Sequence, residues 1–207
     1  MINFEALEKT PVQTSPYSYM MAEGVLNQEQ AGQIRRDYPA IKKAGYLPLS
    51  KLESKGAFKA LIDDLKTPRL ARLLSDKFGV DLADKPYIIT VRRLSKKSDG
   101  TIHHDSRSKI LTLLVYLNDS WENDGVGALR VLRGPDDFED YAVEVPPLTG
   151  NVFAFLRADN SWHGFRPFAG ERYVVQMAFL TSRVELERKE KSGYLQMLMK
   201  NLNPFQS

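Results

Sequence analysis

The run ILTLLVYL at residues 110–117 constrains this chain more than any other stretch. It is nearly all apolar, as expected of a β-strand covered on both faces. Directly before it stands TIHHDSRSK, and side chains in a strand alternate faces with a period of two. His103 and Asp105 are therefore predicted to point one way and His104 the other. An imidazole and a carboxylate on one face can hold two positions of a divalent metal. A third ligand must come from elsewhere, and the only other histidine is His163. Two histidines and a carboxylate make a facial triad, which leaves open positions on ferrous iron.

Strand signals continue around this run. Residues 87–94 (YIITVRRL) are rich in β-branched and aromatic side chains, and 128–132, 141–145, 151–156 and 173–180 read as further short strands. Turn chemistry separates them at Gly134-Pro135-Asp136-Asp137 and Pro146-Pro147. Many short strands spaced by about 8–12 residues predict a sandwich or barrel, and a strongly apolar central strand suits a double-sheet jelly roll.

The N-terminal third is predicted to be helical. Residues 25–38 carry Asn27 as a cap and Ala31, Ile34 and Tyr38 on one face; residues 56–66 follow with Phe58, Leu61, Ile62 and Leu65. Thr67-Pro68 opens another helix, with Leu70, Leu73, Leu74 and Phe78 as its stripe and Gly79 as its cap. Residues 1–24 are expected to form a loop or an edge strand. Residues 185–201 are predicted to be a C-terminal helix, with Leu186, Tyr194, Leu195 and Leu198 as its buried side. The chain thus divides into a helical buttress (1–83), a β core (84–183) and a closing helix (184–207), all in one domain.

Composition excludes several classes. The 207 residues contain no cysteine, so disulfides, thiolate metal sites and cysteine nucleophiles are out. A net charge of +3 is too small to argue for nucleic acid. No apolar stretch approaches the roughly 18 residues of a membrane span, and the N-terminus lacks an apolar core of the signal-peptide kind, so a cytoplasmic protein is expected.

Three features reinforce the metal reading. His163 lies just beyond the strand at 151–156. Arg172 follows nine residues later, across a turn that can fold it back beside the histidine; a guanidinium there can clamp a carboxylate through two parallel hydrogen bonds. Thr112 and Tyr116 share one face of the apolar strand, and their hydroxyls can line a pocket or serve structural hydrogen bonds.

The order His103-His104-Asp105, Val115-Tyr116-Leu117-Asn118, Trp121, Gly127-Ala128-Leu129-Arg130, Gly150-Asn151-Val152-Phe153, His163 and Arg172 resembles the iron(II)- and 2-oxoglutarate-dependent dioxygenases, in particular their prolyl-4-hydroxylase-like branch. The resemblance covers residues 86–183. It implies an α+β protein with a double-stranded β-helix (cupin-like jelly-roll) core. It implies that His103, Asp105 and His163 ligate Fe(II), that Arg172 pairs with the distal carboxylate of 2-oxoglutarate, and that Tyr116 and Thr112 line the co-substrate pocket. The reaction would spend O2 on decarboxylating 2-oxoglutarate to succinate and hydroxylating a C–H bond of a prolyl residue or a small metabolite. The chain departs from that branch at Gly100, where tyrosine is frequent, and at Arg92-Arg93, where an aromatic is common. His104 is read as non-ligating. The segments 99–102 and 118–127 are expected near the pocket mouth, one of them as a lid.

Two other readings compete. A non-catalytic cupin-like module would keep the metal or carboxylate site without turnover. A zinc hydrolase would need a placed general base, and no H-E-x-x-H motif is present. The sequence leaves oligomeric state open.

Overall fold

Local signals at the helix ends decide where the N-terminal layer begins and stops. The computed structural model describes residues 1–122 and 125–202, with the backbone alone described from 194 onward. In chain order it runs α1 (Phe4–Lys9), β1 (Tyr19–Ala22), α2 (Gln28–Arg36), β2 (Leu47–Pro48), α3 (Gly56–Leu65), α4 (Pro68–Phe78), β3 (Tyr87–Ser95), β4 (Lys109–Tyr116), β5 (Leu129–Leu132), β6 (Tyr141–Val145), β7 (Val152–Leu156), β8 (His163–Gly164), β9 (Gly170–Leu180) and α5 (Arg183–Leu202). Asn27 caps α2 through a reciprocal box with Gln30, so the helix starts three residues later than periodicity alone predicts. Thr67 caps α4, Pro68 occupies its first turn, and Gly79 ends it in the left-handed conformation.

The strands form two antiparallel sheets. The larger has the order β1-β7-β4-β9-β3-β2 and the smaller β6-β5-β8. With α1–α4 on one side of the larger sheet, this is the expected α+β jelly roll. Alternation along β4 divides the core. Leu111, Leu113 and Val115 face Ile34, Phe58, Leu61, Ile62 and Leu74 of the helical layer. Leu114 and Tyr116 face Leu129, Val131 and Val145 of the small sheet. The 1–24 segment supplies β1 as an edge strand, as expected. The six-residue α1 and two-residue β2 and β8 are too short for periodicity to reveal. Leu186 of α5 packs on Ile88, Ala178 and Leu180. Tyr194, Leu195 and Leu198 lie outside the residues whose side chains are described. Among the described residues, no helix is long and apolar enough to cross a membrane.

One contact ties the helical layer to the strands that carry the site. The buried Tyr38 hydroxyl, just past α2, lies 3.0 and 2.9 Å from the carbonyl oxygens of Arg92 on β3 and Val174 on β9. Tyr38→Phe removes the donor that these two buried carbonyls share and should cost about 0.5–1.5 kcal/mol of stability, read as a lower midpoint in urea unfolding with unchanged slope.

Candidate active site

A single bridge brings the two ligand segments together. His103 and His163 exchange both backbone hydrogen bonds, each 2.9 Å long, and their rings lie 4.4 Å apart between centroids. The sequence reading placed His103 and Asp105 on the start of the long strand. The structure corrects this: β4 begins at Lys109, His103 is an isolated bridge on the edge of β8, and Asp105 sits in the connecting loop. The residues between, Ser106 to Ser108, turn the chain before the ladder can start. His103 and Asp105 still reach the same side, because each is held by its own partners.

The ligand atoms of His103, Asp105 and His163 all lie within 4.8 Å of one another. Nδ1 of His103 is 2.9 Å from the carbonyl of Thr101, and Nδ1 of His163 is 2.9 Å from the carbonyl of Ser161. A carbonyl only accepts, so each Nδ1 carries the hydrogen and each Nε2 presents a lone pair. Asp105 accepts from Lys109 Nζ at 2.7 Å and from the Thr112 hydroxyl at 2.5 Å. Burial acts to raise the Asp105 pKa, but the Lys109 ammonium, His163 and these hydrogen bonds win and bring it to about 2. Burial, reinforced by His103, pushes His163 down to about 4 against the pull of Asp105. Both groups are therefore in the protonation state a metal requires at neutral pH. The donor set fits a divalent cation with a preference for nitrogen and oxygen ligands. His104 is not in the cluster; its ring lies 4.6 Å from that of Trp162.

These three residues line one end of a cavity of about 270 Å³ between the sheets. Arg172 lines it too. It is 1% exposed, donates from Nε to the Gly127 carbonyl at 2.9 Å, and lies over the Phe165 ring at 4.4 Å. The surface pair with Glu171 does not form, because Glu171 pairs with Arg93 instead. Among the described residues no carboxylate meets Arg172. Gly127 sits at φ +78°, and a Cβ there would come within 2.7 Å of Trp121, so a glycine is what lets this carbonyl reach the guanidinium.

The two hydroxyls expected to line the pocket part company. Thr112 lies in the cavity wall, but its hydroxyl is committed to Asp105. Tyr116 stands behind the wall, under the Arg172 guanidinium at 5.4 Å, and its fully buried hydroxyl has no hydrogen-bond partner. Thr112→Val removes a partner that orients the Asp105 carboxylate and should weaken divalent metal binding by about 10–100-fold, measured by calorimetric titration with Mn(II) or Fe(II).

Sequence reasoning missed Lys109, Arg92 and Phe165 in the cavity wall. For Lys109 a signal existed in the four-residue spacing from Asp105. Arg92 was visible as a charge inside an otherwise apolar strand. Of the two mouth segments, 99–102 contributes Asp99 to the cavity, whereas residues 118–122 line a separate surface groove with Phe168. Asn123 and Asp124 of the second segment lie outside the described residues.

Comparison with known proteins agrees with this geometry. Residues 89–180 match the family model of the 2OG-Fe(II) oxygenase superfamily. No curated protein matches the sequence. Among solved structures, the chain is similar to a prolyl-4-hydroxylase of Pseudomonas putida (TM-score 0.55, 17% identity, 79% of this chain and 92% of that one). It is also similar to a prolyl 4-hydroxylase of Phytophthora capsici (0.60, 18%, 89% and 67%). A third is a Trichoplax adhaerens prolyl hydroxylase, solved with a peptide fragment of hypoxia-inducible factor (0.53, 14%, 84% and 86%).

Proposed function

We propose that this chain is an iron(II)- and 2-oxoglutarate-dependent dioxygenase, like the 2OG-Fe(II) oxygenases whose family model its residues 89–180 match, and that it hydroxylates a C–H bond at the cavity mouth. His103, Asp105 and His163 hold the iron, and Arg172 takes the distal carboxylate of 2-oxoglutarate. The observation that carries this reading is one cavity with three convergent ligands at one end and a buried guanidinium lacking a carboxylate at the other. A buried charge wants a partner of opposite sign, and a dicarboxylate bound to the metal supplies one.

When bound, the iron couples the oxidative decarboxylation of 2-oxoglutarate by O2, giving succinate and CO2, to insertion of the second oxygen atom into the substrate. The protein's own residues do the rest. The Thr101 and Ser161 carbonyls fix the imidazole tautomers, and Thr112 and Lys109 hold the Asp105 carboxylate. Leu114, Leu129 and Phe155 make the walls apolar and exclude water from the region between metal and guanidinium. His103 is the exposed ligand, so substrate approaches from its side. A prolyl residue in a peptide is the substrate we favour, by analogy with the structural relatives; a small metabolite is the alternative.

The test is anaerobic. Iron(II)-loaded protein should develop a weak visible charge-transfer band when 2-oxoglutarate is added. On admitting O2 it should release succinate, and prolyl peptides should gain the mass of one oxygen atom. No band and no succinate from folded, iron-loaded protein would leave a non-catalytic binding module.

A further inference from the structure

Arg92 is a second buried guanidinium in the same cavity wall, and the metal site does not use it. It is 6% exposed on β3, with the register placing it level with Val174 of β9 and Tyr116 of β4. Its Nη1 donates to Ser95 Oγ at 3.2 Å, and Nη2 lies 3.7 Å from Asp99 Oδ2, a long contact for an ion pair. Its Nε is buried without a partner. The Tyr46 ring covers one side at 4.2 Å, and the Phe165 ring lies 5.9 Å away. Arg172 is against that same Phe165 ring, so the two guanidiniums share a neighbour.

The charges in the wall do not balance. Arg92, Lys109 and Arg172 face Asp99 and Asp105. Lys109 is taken by Asp105, which leaves two guanidiniums with Asp99 alone. Burial and the neighbouring Arg172 both push the Arg92 guanidinium toward losing its proton, so the pair repels. Two like charges in a low-dielectric cavity are relieved most directly by an anion lying between them.

We infer that Arg92 is a second carboxylate-binding residue of this cavity and grips the distal carboxylate of 2-oxoglutarate together with Arg172. This rests on the proposed function above. The Tyr46 ring fixes the guanidinium plane by stacking, and the unpartnered Nε is the hydrogen-bond donor left for a ligand.

The test compares two ligands of equal length. 2-Oxoglutarate and 2-oxopentanoate both present a 2-oxo acid to the metal, and only the first has the distal carboxylate. Their dissociation constants are measured calorimetrically on anaerobic, iron(II)-loaded protein. Arg92→Gln should weaken 2-oxoglutarate roughly tenfold or more while leaving 2-oxopentanoate within about twofold, because one charge-assisted hydrogen bond is lost. Arg92→Lys keeps the charge and should fall in between, which guards against a folding defect in the first variant. Equal weakening of both ligands, or of neither, would overturn the assignment and leave Arg92 as a brace for Asp99. If wild-type protein shows no preference for 2-oxoglutarate over 2-oxopentanoate, the functional reading itself fails. If Arg172→Gln abolishes the preference and Arg92→Gln keeps it, that reading stands and only this inference falls.

Discussion

Asp105→Ala should lose iron(II) binding and, with it, all 2-oxoglutarate-dependent release of succinate, in a protein that still folds. Asp105 is the only carboxylate in the ligand cluster, and it is held ionised by Lys109, His163 and Thr112. Removing it leaves two imidazoles and no anionic ligand, a set that binds a hard-to-intermediate cation far less tightly. Loss of an outer partner of a ligand alone costs about 10–100-fold in metal affinity, so loss of the ligand itself should exceed 100-fold. The strand ladder is untouched, because Asp105 lies in a loop before β4. Metal content after gel filtration, with circular dichroism as the folding control, decides the point. A variant that keeps wild-type iron content would remove Asp105 from the metal.

Arg172→Met should have opposite effects on stability and on co-substrate binding. In the ligand-free protein the guanidinium is buried with a carbonyl and two rings and, among the described residues, no carboxylate, an expensive state for a charge. Methionine fills similar space without that cost, so the melting temperature of the variant should equal or exceed that of the wild type. Binding tells the reverse story. Truncating one member of a buried ion pair costs about 2–5 kcal/mol, and 1.4 kcal/mol is tenfold, so 2-oxoglutarate should bind roughly 30-fold more weakly or worse. Saturating 2-oxoglutarate should then raise the wild-type melting temperature and leave the variant's unchanged. A variant that is less stable without ligand and still stabilised by it would assign Arg172 to the fold.

The sequence carried this site further than it carried its scaffolding. His103, Asp105 and His163 could be grouped because the chain has three histidines and two lie beside strands. Their convergence needed one bridge between residues 60 apart, which no local pattern shows. The reading extended strand alternation back to the H-x-D motif. The chain instead turns at 106–108, and the shared direction of the two side chains comes from separate hydrogen bonds. Helices α3 and α4 were legible nearly to the residue from their apolar stripes, and in α4 the caps agree with the stripe. Arg92 was seen as an oddity in a strand but not placed, since which face of β3 meets the cavity depends on its pairing with β9 and on the bulge after Arg92. Tyr116 and Thr112 share a face as alternation predicts. Only packing shows that one hydroxyl serves the metal ligand and the other lies idle beneath a guanidinium.

That shared face of β4 makes the strand a ruler. Thr112 fixes the Asp105 carboxylate at one mark, and Tyr116, four residues on, lies under Arg172 at the other. At about 3.3 Å per residue these marks are roughly 13 Å apart along an extended backbone flanked by β7 and β9. The interval is set by the strand's rise rather than by a loop. Nor can drift at a single position rescale the interval. An inserted residue between Thr112 and Tyr116 would turn one of them to the helical side of the sheet, so the spacing of these two supports changes only if the strand is rebuilt.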